Sequence, residues 1–342
     1  MLFQKRSAYR SFSPRVPEKD LAVTRKLETP DIVNDPAVLQ HTVQLTGLTP
    51  DTTYVYTVGD NLHRSELAEF TTAPATARPF SFVYMGDAQN GLERWESVIQ
   101  RAHRHRPDTA FYVMAGDLVN RGKHREEWDS LFGKADGVWN EHPVVPALGN
   151  HEYQDGDPSL YLEHFVLPEN GPDTLTPEKA YAVRYGNALF IILDSNEPPE
   201  AQTAWLERKL KNSDATWKFV VYHHPSYSSS PKRNNPDIRK LWGVVFDKYG
   251  VDMVLQGHDH AYLRTNPMRG GRAAEADEAG VVYVVSVSGT KYYEQGDFDY
   301  SAATAIRTST YQTFDIQLGG DRLVYRSHDI DGNLVDSLTL EK

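Results

Sequence analysis

Ala110-Phe-Tyr-Val-Met-Ala115, followed directly by Gly116-Asp117-Leu118-Val119-Asn120-Arg121-Gly122, is the stretch whose reading decides the fold. A short apolar run closed by glycine fits a strand buried on both faces, and a carboxylate stands at its end. The same arrangement occurs upstream at Phe80-Ser-Phe-Val-Tyr-Met-Gly-Asp87. Downstream, Gly149-Asn150-His151-Glu152, Val221-Tyr-His223-His224 and Gly257-His258-Asp259-His260 follow runs of similar character. Taken singly, each is weak: Gly-Asp is commonly a turn with an Asx hydrogen bond, Asn-His a loop, and one histidine a surface or core residue. In this order, each ending a predicted strand, they form a set of oxygen and nitrogen donors that turns do not otherwise demand. Asp117 is then the natural centre of a polynuclear metal site.

Between these motifs the sequence alternates strands and helices. Leu92 to His105 reads as a helix, as do Lys123 to Lys134, Ala201 to Leu210 and Ile238 to Tyr249. Tyr181-Ala-Val-Arg-Tyr185 and Leu189 to Leu193 read as a hairpin closed by Gly186-Asn187, Trp217 to Tyr222 and Val251 to Leu255 as strands, and the chain from Val281 as mostly β. Arg269 to Gly280 reads as a mobile surface loop, and Tyr292 to Tyr300 as a loop that either overhangs a site or does not. The basic run Arg101-Ala-His-Arg-His-Arg106 reads as the solvated end of a helix.

Residues 1–74 read differently, as short strands separated by turn residues, and Thr71-Thr-Ala-Pro-Ala-Thr-Ala-Arg-Pro79 has the small, proline-rich composition of a linker. The expected domains are 1–74 all-β, 75–79 linker and 80–342 α/β. His41 to Leu45 and Tyr54 to Val58 alternate as strands do, with Leu48-Thr-Pro-Asp-Thr-Thr-Tyr54 between them. Leu48, Pro50 and Tyr54 make this stretch resemble fibronectin type III domains. The resemblance implies a β-sandwich, short of its usual length, in which Tyr54 is the corner tyrosine with its hydroxyl tied to backbone upstream.

Composition narrows the function. There are no cysteines, which removes disulfides, thiolate catalysis and sulfur-ligated metals and leaves His, Asp, Asn and water as donors. A net charge of -11 works against binding a nucleic-acid backbone, where phosphate contacts call for Lys and Arg. A small anionic substrate stays compatible, because bound cations would dominate the local charge. The longest apolar runs, such as Ala188 to Leu193, are too short to span a bilayer, so no membrane span is expected. Met1 to Arg10 lacks the apolar segment of a signal peptide, which fits either an intracellular protein or one whose leader is absent from this sequence.

The ordered motifs resemble the calcineurin-like metallophosphoesterase superfamily and, within it, the purple acid phosphatase branch, which also carries a fibronectin-like N-terminal domain. The resemblance implies a four-layer α/β/β/α sandwich, an α/β (α+β) fold, behind a small all-β sandwich. It also implies two divalent or trivalent metal ions (Fe, Zn or Mn) spaced by a bridging Asp117. Asp87 and His260 would join Asp117 at one ion, and Asn150, His223 and His258 at the other. His258 and His260 reach neighbouring ions more readily from an irregular loop than from a strand. The implied reaction is hydrolysis of phosphate monoesters by attack of a metal-bound hydroxide, with periplasmic or secreted placement and a cytoplasmic one left open.

His151 is the expected general acid for the leaving group, or else a hydrogen-bond donor that holds Asn150 and its loop. His224 either faces the pocket or packs beside Pro225. Two departures matter. Purple acid phosphatases have tyrosine where this chain has Asn120, so no tyrosinate colour is expected. Gly-Asp-Leu-Val-Asn-Arg-Gly is instead similar to the loop of protein serine/threonine phosphatases, which makes Arg121 a candidate phosphate clamp, with a solvated arginine as the alternative. Gln89 stands where many superfamily members have a ligating histidine. The partner expected is a small phosphorylated substrate. A phosphodiesterase acting on nucleotides or lipid head groups is the competing activity, and a catalytically inert binding module the competing class.

Overall fold

The computed structural model describes residues 2–5, 18–27, 29, 35–60, 62–154, 156–276, 278–317 and 319–342. The apolar runs become strands because each has a partner on both faces. Phe80–Met85 lies inside a six-stranded sheet ordered Leu334–Glu341, Arg322–Asp329, Thr310–Ile316, Phe80–Met85, Tyr112–Ala115, Val144–Ala147. Phe80–Met85, Tyr112–Ala115 and Val144–Ala147 run parallel, so Asp87, Asp117 and Asn150 all follow carboxyl ends on one edge.

A second sheet of seven strands is ordered Tyr181–Tyr185, Ala188–Ile192, Trp217–Val221, Met253–Gln256, Val282–Val285, Tyr262–Thr265, Ser301–Ala305. Its strands from Ala188–Ile192 to Val282–Val285 are parallel, which brings His223 and His258 to the matching edge. The two sheets face each other across an aromatic core. The Phe82 ring stacks on Phe314 at 4.3 Å between centroids and meets Phe190 and Phe219 edge-on at 5.0 and 5.1 Å. All four are fully buried; truncating such a ring to alanine costs about 3–5 kcal/mol. At the site edge, Tyr84 of one sheet accepts a hydrogen bond from Gln256 N of the other at 2.9 Å and donates to the Gln256 carbonyl.

Helices cover both outer faces. Among the described residues they are, in chain order, α1 (Leu92–His105), α2 (Arg125–Lys134), α3 (Ser159–His164), α4 (Pro199–Lys211) and α5, a continuous segment of Pro236–Ile238, a π-helical stretch Arg239–Gly243 and Val244–Tyr249. Trp95, Val98 and Ile99 of α1 and Trp128 and Leu131 of α2 pack on Val83, Met85, Tyr112 and Met114. Trp205 and Leu206 of α4 and Trp242 and Phe246 of α5 pack on Ile191, Val220 and Val254. The result is the α/β/β/α order expected. The predicted hairpin closes through Gly186-Asn187, with Tyr185 opposite Ala188.

In the N-terminal part the described residues form a four-stranded sheet ordered Glu18–Lys19, Leu2–Lys5, Thr53–Thr57, Ala68–Thr71, and a separate hairpin of Val23–Leu27 with Val38–Thr42. The strand expected at His41 to Leu45 lies three residues earlier, because its ladder is set by Val23–Leu27. Tyr54 is buried, and its hydroxyl accepts a hydrogen bond from Thr49 N at 2.9 Å, as a corner tyrosine does. Within the stretch expected as a loop at Arg269 to Gly280, a short ladder pairs Met268–Arg269 with Arg272–Ala273.

Candidate metal centre

The strand ends turn sharply enough to strain the backbone. Asp87, Asp117, His258 and His260 all have positive φ, at 48°, 52°, 72° and 48°. Such conformations cost non-glycine residues of order 1 kcal/mol each and collect where function over-determines them. Two glycines make the crowding possible. A Cβ on Gly116 (φ +83°) would lie 2.7 Å from Gly149 N and from His223 Nδ1, and one on Gly149 would run into the Asp117 carboxylate.

Within this space six donors converge. Asp87, Asp117 and His260 each offer one atom within 4.8 Å of the others, and so do Asp117, His223 and His258. Asp117 belongs to both groups. Asn150 Oδ1 lies 3.2 Å from His223 Nε2 and 2.9 Å from His258 Nδ1, which puts the amide oxygen in the second group. His223 Nδ1 donates to the Ala115 carbonyl at 2.8 Å, and Nε2, the nitrogen left for an ion, faces Asp117 Oδ2 at 3.1 Å. His260 Nδ1 sits 3.2 Å from the Lys291 carbonyl, which leaves Nε2 toward Asp87 Oδ1 at 3.6 Å. Imidazole anchored at one nitrogen by a carbonyl is the form in which histidine binds metals.

The remaining predicted residues fall around this cluster. Gln89 Nε2 donates to Asp117 Oδ2 at 2.7 Å, while its Oε1 is buried without a partner. His151 N donates to Asp117 Oδ1 at 2.9 Å; its ring Nδ1 lies 2.6 Å from the Asn120 carbonyl and its Nε2 4.0 Å from Asp117 Oδ2. Asn120 therefore contributes its backbone oxygen to the site through His151. His224 faces the cluster, with its ring 4.4 Å from that of His258 and Nδ1 2.9 Å from Ser195 Oγ. Arg121 is held outside, its Nε 2.5 Å from Glu127 Oε1 and Nη2 3.3 Å from Glu126 Oε1. Within the Tyr292 to Tyr300 stretch, Tyr293 does overhang, its ring 4.9 Å from that of His260.

Two carboxylates that the sequence reading gave no role hold the loops. Glu152, 1% exposed, accepts backbone N–H groups from Asp117 (2.9 Å), Leu118 (2.8 Å), Val119 (3.3 Å) and Gly149 (2.7 Å). Asp259, buried between the two histidines, accepts from Ser228 Oγ, Ser229 N and Arg233 Nε at 2.5, 2.7 and 2.9 Å. Arg233 lies over the Tyr293 ring at 4.5 Å. The available signal was position: each acid lies inside a motif, Glu152 beside the predicted general acid His151 and Asp259 between the predicted ligands His258 and His260.

Electrostatics test whether cations fit. Among the described residues neither Asp87 nor Asp117 is paired with Lys or Arg. Burial, opposed by the charge of His223, pushes the Asp87 carboxyl well above its ordinary value. Desolvation also raises Asp117, but His223 and then His151 outweigh it and hold it at about 2. His223, against its own desolvation, is raised to about 10 by Asp117. The protein's own answer to the Asp117 charge is thus an imidazolium at a place ringed by donors. His258, His260 and His224 are lowered, first by burial, the latter two to about 3, and so are neutral. Two buried carboxylates, neutral imidazoles, an amide oxygen and the orphaned Gln89 Oε1 suit borderline divalent or trivalent ions.

Comparison with known proteins agrees with this chemistry. Residues 80–262 match the calcineurin-like phosphoesterase family model, and residues 8–72 match that of the purple acid phosphatase N-terminal domain. The chain is 28% identical over 269 residues to an uncharacterised Mycobacterium tuberculosis protein, covering 66% of this chain and 50% of that one. It is 26% identical over 256 residues to a probable purple acid phosphatase of Arabidopsis thaliana, covering 69% and 57%. It therefore spans about half the length of these curated relatives. A purple acid phosphatase from yellow lupin (Lupinus luteus) seeds shares the fold, with a TM-score of 0.83 at 19% identity over 99% of this chain and 68% of that one. No helix among the described residues is long and apolar enough to cross a membrane.

Proposed function

The chain belongs to the calcineurin-like phosphoesterase family and carries a purple acid phosphatase N-terminal domain, and from that premise we propose that it hydrolyses phosphate monoesters at a dinuclear metal centre. The observation that carries the proposal is the sharing of Asp117 by two donor groups. Asp87, Asp117 and His260 would hold one ion, and Asp117, Asn150, His223 and His258 the other. Bound there, a pair of Fe, Zn or Mn ions supplies Lewis acidity, which lowers the pKa of water toward neutrality and offsets charge on phosphoryl oxygens.

The chain's own residues supply the rest. His151 directs its Nδ1–H at the Asn120 carbonyl, so as the imidazolium it would carry its second proton on Nε2 and give that one to the leaving oxygen. His224, neutral and anchored by Ser195, forms a wall beside His258. Arg121 can contact phosphate only by loosening its pairs with Glu127 and Glu126, so its contribution to binding is the smaller one. The substrate is a small phosphorylated molecule. The division into 1–74, a linker at 75–79 and 80–342 is part of the same proposal, supported by the strands of the two large sheets all lying at or beyond Phe80.

The test is turnover of an aryl phosphate monoester and the matching diester by protein loaded with Mn, Zn or Fe, alongside Asp117→Asn. Monoester turnover that Asp117→Asn abolishes is the expected result. A diester preference would favour the phosphodiesterase reading, and no turnover of either ester with any of these metals would leave only a binding role.

A further inference from the structure

Away from the strand ends, His103 near the end of α1 meets Glu141 and His142 in the segment that leads into Val144–Ala147. Each offers one donor atom, and the three atoms lie within 4.8 Å of one another. The imidazole centroids are 5.4 Å apart, with planes inclined at 59°. His103 Nδ1 and His142 Nε2 are both buried without a hydrogen-bond partner. Leaving a buried polar atom unsatisfied costs about 1–3 kcal/mol, so native proteins rarely leave two side by side without an occupant.

The geometry favours a cation as that occupant. The unpartnered nitrogens are His103 Nδ1 and His142 Nε2, and each ring presents a lone pair there when its proton sits on the other nitrogen. Glu141 adds an anionic oxygen. Tetrahedral zinc with bonds of about 2 Å places its donors about 3.4 Å apart, which movements of roughly 1 Å would reach from the separation found. A route in exists, since Glu141 and His142 line a cavity of about 880 Å³ that also touches Asp51, Thr53 and Asp108.

We propose that His103, Glu141 and His142 form a divalent metal site separate from the strand-end cluster, taking Zn²⁺ or a similar borderline ion with one position open to water. Its two imidazoles come from segments already joined by other contacts. Gln100 Nε2 donates to the Asp136 carbonyl at 2.9 Å, and Trp95 meets Trp139 edge-on at 5.3 Å. The Tyr56 hydroxyl donates to the Asn140 carbonyl at 2.5 Å, which brings the N-terminal β region against the same segment. An ion here would clamp α1 to the 136–142 segment at the place where the N-terminal strands rest on it.

The test counts Zn²⁺ per chain by elemental analysis of the full chain after equilibration at micromolar free Zn²⁺. Asp117→Asn is used as background, so that the strand-end cluster contributes least. The Asp117→Asn protein is expected to hold one Zn²⁺ more per chain than the same protein carrying His103→Ala and His142→Ala, and only the former should gain thermal stability from Zn²⁺. Equal zinc content in the two would overturn the proposal. Should the combined variant lose its far-ultraviolet circular dichroism, His142→Gln alone decides by the same count. Because the readout is metal content, phosphatase activity can fail without affecting it.

Discussion

Burial and then the neighbouring Asp117 raise the Glu152 carboxyl to about 7, so above that pH replacing Glu152 by glutamine removes one negative charge and almost no volume, yet the structure makes it a severe change. Each carboxylate oxygen accepts two backbone N–H groups: Oε2 those of Asp117 and Gly149, Oε1 those of Leu118 and Val119. Whichever way the amide turns, its nitrogen confronts two N–H donors in a site that water does not reach. Two buried donors lose their partner at about 1–3 kcal/mol each, and the other two lose the help of a charged acceptor, for a total of about 3–5 kcal/mol. The assay is urea unfolding of metal-depleted wild type and Glu152→Gln, with the slope compared to verify that both unfold alike. The functional consequence follows from the same bonds. Glu152 ties the Asp117 loop to Gly149, next to Asn150, so loosening it would disturb both proposed ion positions, and misplacement by about 1 Å can cost about 10²-fold in rate. A variant within about 1 kcal/mol of wild type that kept its full metal content would refute the reasoning.

Four further outcomes can be checked. His151→Ala should lower turnover by about 10²–10⁴ with metal content intact, and by less on esters with good leaving groups; equal losses across leaving groups would assign His151 a holding role instead. Metal loading at pH 7 should release at least one proton per chain, because His223, raised to about 10, is protonated there and must give up the Nε2 proton to bind; loading is therefore favoured as pH rises. Calorimetry in buffers of different ionisation enthalpy measures this, and identical heats in all of them would count against it. Iron-loaded protein should lack a visible tyrosinate charge-transfer band if, as the resemblance implies, Asn120 replaces the tyrosine of the purple enzymes, and an absorption spectrum decides. Tyr54→Phe strips Thr49 N of its acceptor and should cost about 1 kcal/mol in the same urea assay.

The parts of the fold legible in sequence were those with a local signature. Phe80 to Met85 and Ala110 to Ala115 announce themselves because a strand with partners on both faces has no solvent side to mark with polar residues. Gly186-Asn187 fixes a two-residue turn and hence the whole hairpin register. What stayed hidden depends on partners far along the chain. Arg101 and Arg106 read as solvated, yet Arg101 Nη2 donates to the Asp331 carbonyl at 2.5 Å and Arg106 Nη2 pairs with Asp315 at 2.8 Å. His103, in the same run, meets Glu141 and His142, and nothing nearby in sequence points to them. Arg121 looked free to clamp phosphate because its partners, Glu126 and Glu127, read only as the start of the next helix.

The same contrast operates inside the site. The candidate donors were legible because their chemistry is restricted to a few residue types at strand ends, whereas the acids that aim them were marked only by lying inside the same motifs. His258 and His260 illustrate the consequence. In a strand, side chains two apart share a face and would crowd one ion. Here both residues take left-handed φ, and Asp259 between them is pulled into the protein by Ser228, Ser229 and Arg233. That inward anchor turns the two imidazoles apart, His258 toward Asn150 and His223, His260 toward Asp87. If Asp117 serves two ions as proposed, the histidines must divide in this way, and Asp259 is the residue that holds them apart.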